Sequence, residues 1–161
     1  MPLLSFKDFS NLSFEKEGRF LGCDLGEKTI GLALSDKTLT IATPLSVIRR
    51  TQWKKDSKSL LEEIEKHHIC GIIVGFPLNM NGSEGPRCQS VRQFVSNLLA
   101  LCNIPVCLWD ERLSTYAVTR TLLEADLSRT RRSQVVDKLA ASYILQGFLD
   151  AYRNTTSQKV K

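Results

Sequence analysis

The stretch ICGIIVGF, residues 69–76, constrains the fold more than any other part of the chain. It is a continuous apolar run, too short to cross a membrane as a helix. Its lack of polar alternation is the mark of a strand covered on both faces. Such a strand lies inside a sheet with a layer on either side. The flanking segments supply those layers. Before it, WKKDSKSLLEEIEKHH repeats Leu60, Leu61, Ile64 and His68 at helical spacing, with charges opposite. After it comes the Pro-, Gly- and Asn-rich PLNMNGSEGPR, a loop by composition. A helix follows to about Leu101, with Pro86 in its first turn and Ser83 placed to cap it.

Three further strands precede this unit. RFLGCD (19–24) is short and apolar, TIGLALSD (29–36) alternates with period two, and IATPLSVIRR (41–50) has strand character. The turn at 25–28 makes the first two a hairpin. Downstream, NIPVCLWDE (103–111) is a strand ending in two acids. LSTYAVTRTLLEAD (113–126) then predicts a helix, SRTRR (128–132) a basic connection, and residues 133–152 a long final helix. A strand meander followed by alternating helices and strands implies an α/β domain with a mixed sheet of five strands flanked by helices. The expected organisation is an extension at 1–18, one domain at 19–152 and a flexible polar tail at 153–161. The length of 161 residues suits one domain with a real core.

Charge narrows the partner. The formal net charge is +5, which favours an anionic partner, nucleic acid first. The five cysteines, Cys23, Cys70, Cys88, Cys102 and Cys107, follow no metal-ligand spacing and read as reduced core thiols of a cytoplasmic protein. The first 19 residues lack the layout of a signal peptide, and no membrane association is expected. His67 and His68 are adjacent and receive no catalytic role.

Acids stand at three places where the pattern predicts burial, which is costly unless each charge finds a partner. Asp24 ends the first strand and Asp110 and Glu111 end the last. Asp137 falls between Ile144 and Phe148 on a wheel of about 100° per residue, on the apolar side of the final helix. If the first and last strands run parallel, their carboxyl ends point the same way, and ligands in such sheets bind beyond those ends. Converging carboxylates repel, and divalent cations relieve that repulsion. Oxygen donors select Mg²⁺ or Mn²⁺. Two such ions about 4 Å apart stabilise both the attacking and the leaving oxygen of a phosphodiester displacement. Each acid also has a plain structural reading: a turn acceptor for Asp24, a helix cap for Asp110 or Glu111, a dipole partner for Asp137. The loop GFPLNMNGSEGP (75–86) offers amides to a phosphate or is a wide connection. Arg112, Arg129, Arg131, Arg132 and Lys138 cluster around two of the acids and could track a nucleic-acid backbone.

Four motifs, DLGEKTIGLALSD, GFPLNMNGSEGP, WDERLST and DKLAASYILQ, in this order and spacing, resemble the YqgF/RuvX family of pre-16S rRNA nucleases. That family is similar to the Holliday junction resolvases. The resemblance covers residues 19–152 and implies an RNase H-like fold with a mixed five-stranded sheet. It matches the family's metal-binding acids to Asp24, Glu111 and Asp137, and it is the resemblance that selects Glu111 over Asp110. It makes Asn79 and Asn81 of the loop substrate-binding candidates beside the basic residues. Two departures stand out: Thr29 where the family often has arginine, and Asn81 where aspartate is common. The implied activity is a metal-dependent endonuclease acting on structured RNA in 5′-end processing of pre-16S ribosomal RNA, as a monomer or weak homodimer. The alternatives are a resolvase of branched DNA and a non-catalytic RNA-binding module.

Overall fold

The computed structural model describes residues 3–113 and 129–160, with side chains of the last helix described over 139–156. The elements are β1 (Leu3–Leu4), α1 (Phe6–Ser10), β2 (Arg19–Leu25), β3 (Thr29–Ser35), β4 (Ala42–Arg49) and α2 (Trp53–Lys66). They continue with β5 (Ile69–Phe76), α3 (Pro86–Leu99), β6 (Val106–Asp110), a 3₁₀ turn (Glu111–Leu113) and α4 (Arg129–Val160). The helix predicted at 113–126 lies outside the described residues.

The strands form one mixed sheet in the order β1-β6-β5-β2-β3-β4. β2, β3 and β4 are an antiparallel meander, while β5 pairs parallel with β2 and with β6. β5 is interior, and Ile72, Ile73 and Val74 are fully buried, as its unbroken apolar run requires. One face packs on α2 and α3 through Leu60, Ile64, Val91, Phe94 and Leu98. The other packs on α4 through Ala141, Ile144, Leu145 and Phe148.

The sheet has six described strands, where the sequence pattern gives five. The added strand comes from the N-terminal segment: Leu3 and Leu4 pair in parallel with Val106 and Cys107 at the β6 edge. α1 then sends Phe9 into a cluster with Phe14, Phe20 and Phe148, at ring centroid distances of 5.1, 5.3 and 5.4 Å. A two-residue strand and a five-residue helix are too short to carry a period, so pairing with β6 and aromatic packing place them.

Two other local expectations change. α3 is capped by Gly85 without a side-chain hydrogen bond, and Ser83 is used inside the preceding loop. α4 begins at Arg129, so most of SRTRR belongs to the helix, and it runs past Tyr152 to Val160.

α4 lies close on the sheet because β2 has a glycine beneath it. A Cβ at Gly22 would sit 2.8 Å from Leu145 Cβ and 3.0 Å from the Ala141 carbonyl oxygen. Farther along α4, Tyr152 packs on Phe20, with ring centroids 5.4 Å apart. The helix therefore runs antiparallel to β2, and its N-terminal half heads toward the carboxyl end of that strand. Gln146 fixes this placement. Its Nε2 donates to the Thr40 carbonyl at 2.9 Å, and its Oε1 accepts from the Ala42 amide at 2.9 Å.

Candidate active site

Strand alternation decides which acids share a face. In β2, Leu21, Cys23 and Leu25 enter the core beneath α2 and α3, whereas Phe20 and Gly22 face α4. Asp24 follows the second set and faces α4, half-buried. In β6, Cys107 and Trp109 face α4 and Leu108 packs on the opposite side. Asp110 is therefore turned away from α4, level with Phe76 of β5.

Glu111 opens the 3₁₀ turn and returns to the α4 side. Its Oε1 would lie 2.8 Å from a Cβ at Gly75, as would Ile144 Cδ1 of α4 at 2.6 Å. Gly75 is aligned with Trp109 of β6, one residue beyond the Val74–Cys23 pair with β2. Asp24 and Glu111 thus flank one glycine at the carboxyl ends of three parallel strands, on one face of the sheet. The missing side chain at Gly75 is what admits both Glu111 and Ile144 there.

Gly75→Ala is expected to push on both neighbours at once. Overpacking of this kind costs about 1–3 kcal/mol, which lowers Tm by several degrees. It also moves Glu111, so activity should fall further than stability predicts. Thermal melts run beside a cleavage assay test this; a variant with unchanged Tm and rate would show that the site tolerates a Cβ.

Asp110 is engaged elsewhere. It accepts from the Arg112 amide at 2.9 Å and from the Arg112 guanidinium at 2.7–3.1 Å. The Arg112 guanidinium holds its carboxyl below the usual aspartate range. Arg112 Nη1 reaches on to the Met80 carbonyl at 3.2 Å and the Asn79 carbonyl at 3.4 Å. Asp110 and Arg112 together tether the loop 77–85 to the end of β6, and they fix the turn on which Glu111 stands.

That loop is organised from within. Ser83 donates through its amide and hydroxyl to Asn81 Oδ1, at 3.0 and 2.6 Å, and Asn79 Nδ2 donates to Ser83 Oγ at 3.0 Å. Gly82 takes φ +85°, a left-handed conformation that glycine adopts without strain. Asn81 does the turn-forming work of an aspartate there, since its carbonyl oxygen is an equivalent acceptor. On the other side of Asp24, the Gly26 amide donates to the Thr29 carbonyl at 2.8 Å. Arg50 Nη1 donates to the Gly26 carbonyl at 2.7 Å. Arg50 has no place in a reading of the motifs, because its approach to Gly26 depends on β4 lying beside β3. Gly75 left one sequence signal, a glycine inside a strand run.

Asp137, Arg129, Arg131, Arg132 and Lys138 lie in the N-terminal part of α4. Position 137 is one turn before Ala141 and two before Ile144, so the antiparallel path of α4 carries it toward the Asp24 end of β2. The side chains of these five residues lie outside the described set. Among the described residues no three His, Cys, Asp or Glu form a group that could hold a metal ion. The described part of the donor set is Asp24 and Glu111, hard oxygen donors suited to Mg²⁺ or Mn²⁺, with Glu111 occupying the space that the missing Cβ of Gly75 leaves.

A family model described as RuvX, Holliday junction resolvase, matches residues 18–151. A protein of Paramagnetospirillum magneticum named "Putative pre-16S rRNA nuclease" is 57% identical over 150 residues, covering 93% of this chain and 96% of that protein. A protein of the same name from a Ruegeria species is 52% identical over 153 residues, covering 95% and 97%. Among solved structures, T. thermophilus RuvC in complex with Holliday junction substrate matches with a TM-score of 0.53 at 15% identity, over 86% of this chain and 96% of that one. This last likeness is one of fold, and the fold is that of the RNase H-like resolvases.

Proposed function

The chain belongs to the RuvX family, and from that premise we propose that it is a metal-dependent endonuclease that processes the 5′ end of the 16S ribosomal RNA precursor. Relatives of more than half identity carry the name of pre-16S rRNA nuclease. The observation that carries the reading is the placement of Asp24 and Glu111 on one face of the sheet beside Gly75, at the carboxyl ends of β2, β5 and β6. A structural cap would not need two acids to share one face of the sheet at the ends of adjacent strands.

In this reading Asp24, Glu111 and Asp137 hold Mg²⁺ or Mn²⁺, in the fullest form as two ions. Such ions, when bound, lower the pKa of a water and neutralise charge on the leaving oxygen. The chain's own contribution is placement. Asp110 and Arg112 set the turn that aims Glu111. Gln146 anchors α4, and with it the backbone at position 137, against the β3–β4 turn. Asn79, Asn81, Arg112, Arg129, Arg131, Arg132 and Lys138 are the candidates for substrate contact, consistent with the net charge of +5. No described helix is long and apolar enough to cross a membrane, and we place the protein in the cytoplasm as a monomer or weak homodimer.

The test is cleavage of labelled 16S precursor RNA, in parallel with a four-way DNA junction, with Mg²⁺ or Mn²⁺ against EDTA. Cutting of the RNA near its mature 5′ end, abolished by EDTA, is the expected result. Cutting of the junction alone would move the substrate to branched DNA, as the family description names it. RNA binding with no cutting of either substrate would leave a binding module.

A further inference from the structure

A cleft of about 320 Å³ opens between the β2–β3 turn and the start of α3, lined in part by Gly26, Glu27, Arg50, Pro86 and Arg87. It begins at Leu25, one residue beyond Asp24, and opens on the opposite side of the sheet. Its guanidiniums come from separate places in the chain, Arg50 from the residue just after β4 and Arg87 from the first turn of α3. Two guanidiniums face one carboxylate, so the cleft is net cationic. Its volume falls at the lower end of the range of ligand pockets, enough for a nucleotide.

Among the described residues nothing employs Arg87 structurally. Among the described residues it makes no ion pair or hydrogen bond, and it is exposed. It also stands second in α3, just after Pro86, where the helix dipole disfavours a cation. α3 has no side-chain cap. Pro86 has no N–H and the Cys88 amide donates to the Gly85 carbonyl at 3.0 Å, so of the first three positions the Arg87 amide is the one donor added to the rim of the cleft. Arg50 is held in position by the Gly26 carbonyl, which occupies one of its five donors.

We propose that this cleft is a phosphate subsite of the nucleic-acid interface, gripping the backbone of the substrate strand beside the carboxylate site through Arg87 and Arg50. The inference rests on the nuclease reading and extends it, because it routes the strand past the β2–β3 turn in addition to the α4 side. Arg–phosphate contacts of this kind are bidentate and carry no sequence preference.

The experiment measures binding without turnover. Fluorescence anisotropy of a labelled single-stranded RNA is recorded in EDTA against wild type, Arg87→Ala, Arg87→Lys and Arg153→Ala. Arg153 is exposed on α4 and 3.8 Å from Asp150, near the far end of the sheet, so its removal changes net charge equally. Arg87→Ala is expected to weaken binding about 5- to 10-fold at low salt, and to reduce the slope of log K against log salt by about 0.7. Arg87→Lys should keep the slope and lose part of the affinity. Arg153→Ala should match wild type, and Arg87→Ala should melt no lower than wild type. Equal losses for Arg87→Ala and Arg153→Ala, or a wild type that does not bind the RNA, would overturn the subsite. The two readings fail separately: a protein that cleaves but binds RNA normally without Arg87 loses only the subsite. One that binds through Arg87 but cleaves nothing loses only the nuclease.

Discussion

Asp24→Asn should cut no substrate at a measurable fraction of the wild-type rate, a loss on the order of 10³-fold or more. The substitution keeps the shape of the side chain and removes one charge. Asp24 is paired through its backbone with Gly31 in β3, so the strand register does not depend on its carboxylate. The variant should therefore fold as the wild type does, by circular dichroism and by thermal melting in EDTA. A second readout separates metal binding from catalysis. Adding Mn²⁺ should raise the melting temperature of the wild type, because a ligand that binds only the native state stabilises it. The same addition should shift Asp24→Asn much less. If Asp24→Asn retains cleavage within about tenfold of wild type, the carboxylates are not the reactive centre, and the chemistry must be sought elsewhere on the chain.

The largest effect on stability should come from a residue far from the acids. Phe9 is fully buried and meets Phe14, Phe20 and Phe148 in tilted or edge-to-face contacts. Its ring also lies over Gly71 of β5, where a Cβ would come within 2.7 Å of it. Removing a buried phenyl ring costs about 3–5 kcal/mol, which in a chain of this length lowers Tm by roughly 10 °C. Phe9→Ala is expected to do so, and deletion of the first ten residues to do at least as much, because β1 is lost from the sheet edge as well. Thermal and urea unfolding measure both. A change under about 1 kcal/mol for Phe9→Ala would mean that the N-terminal segment rests on the domain without supporting it.

These two residues also mark where the sequence was legible and where it was not. Asp24 stands out in the sequence because an acid at the end of an apolar strand violates the local pattern. β2, β3, β5, α2 and α3 were readable for a related reason. Each is long enough to repeat its period of two or of 3.6, or to lack any polar break. Phe9 sits in a segment with no sustained period, and its partners are 5, 11 and 139 residues away in the chain. Ser83 is ambiguous in the sequence because a loop serine serves equally as a cap or as a turn donor, and the positions of Asn79 and Asn81 decide between them.

The sequence by itself determined the doubly covered central strand, the meander before it, the basic charge, and the identity of the acids that end the strands. Those are local properties, set by which residues follow one another. Only the tertiary structure decided that Asp110 turns away to hold Arg112, that Glu111 comes to lie over Gly75, and that Arg50 and Arg87 meet across a cleft. It alone joined the first ten residues to the β6 edge. The physical reason is common to all four. Which face a side chain takes after a strand ends, and which distant backbone comes within a few ångströms of it, depend on sheet order and helix packing, and neither has a period along the chain.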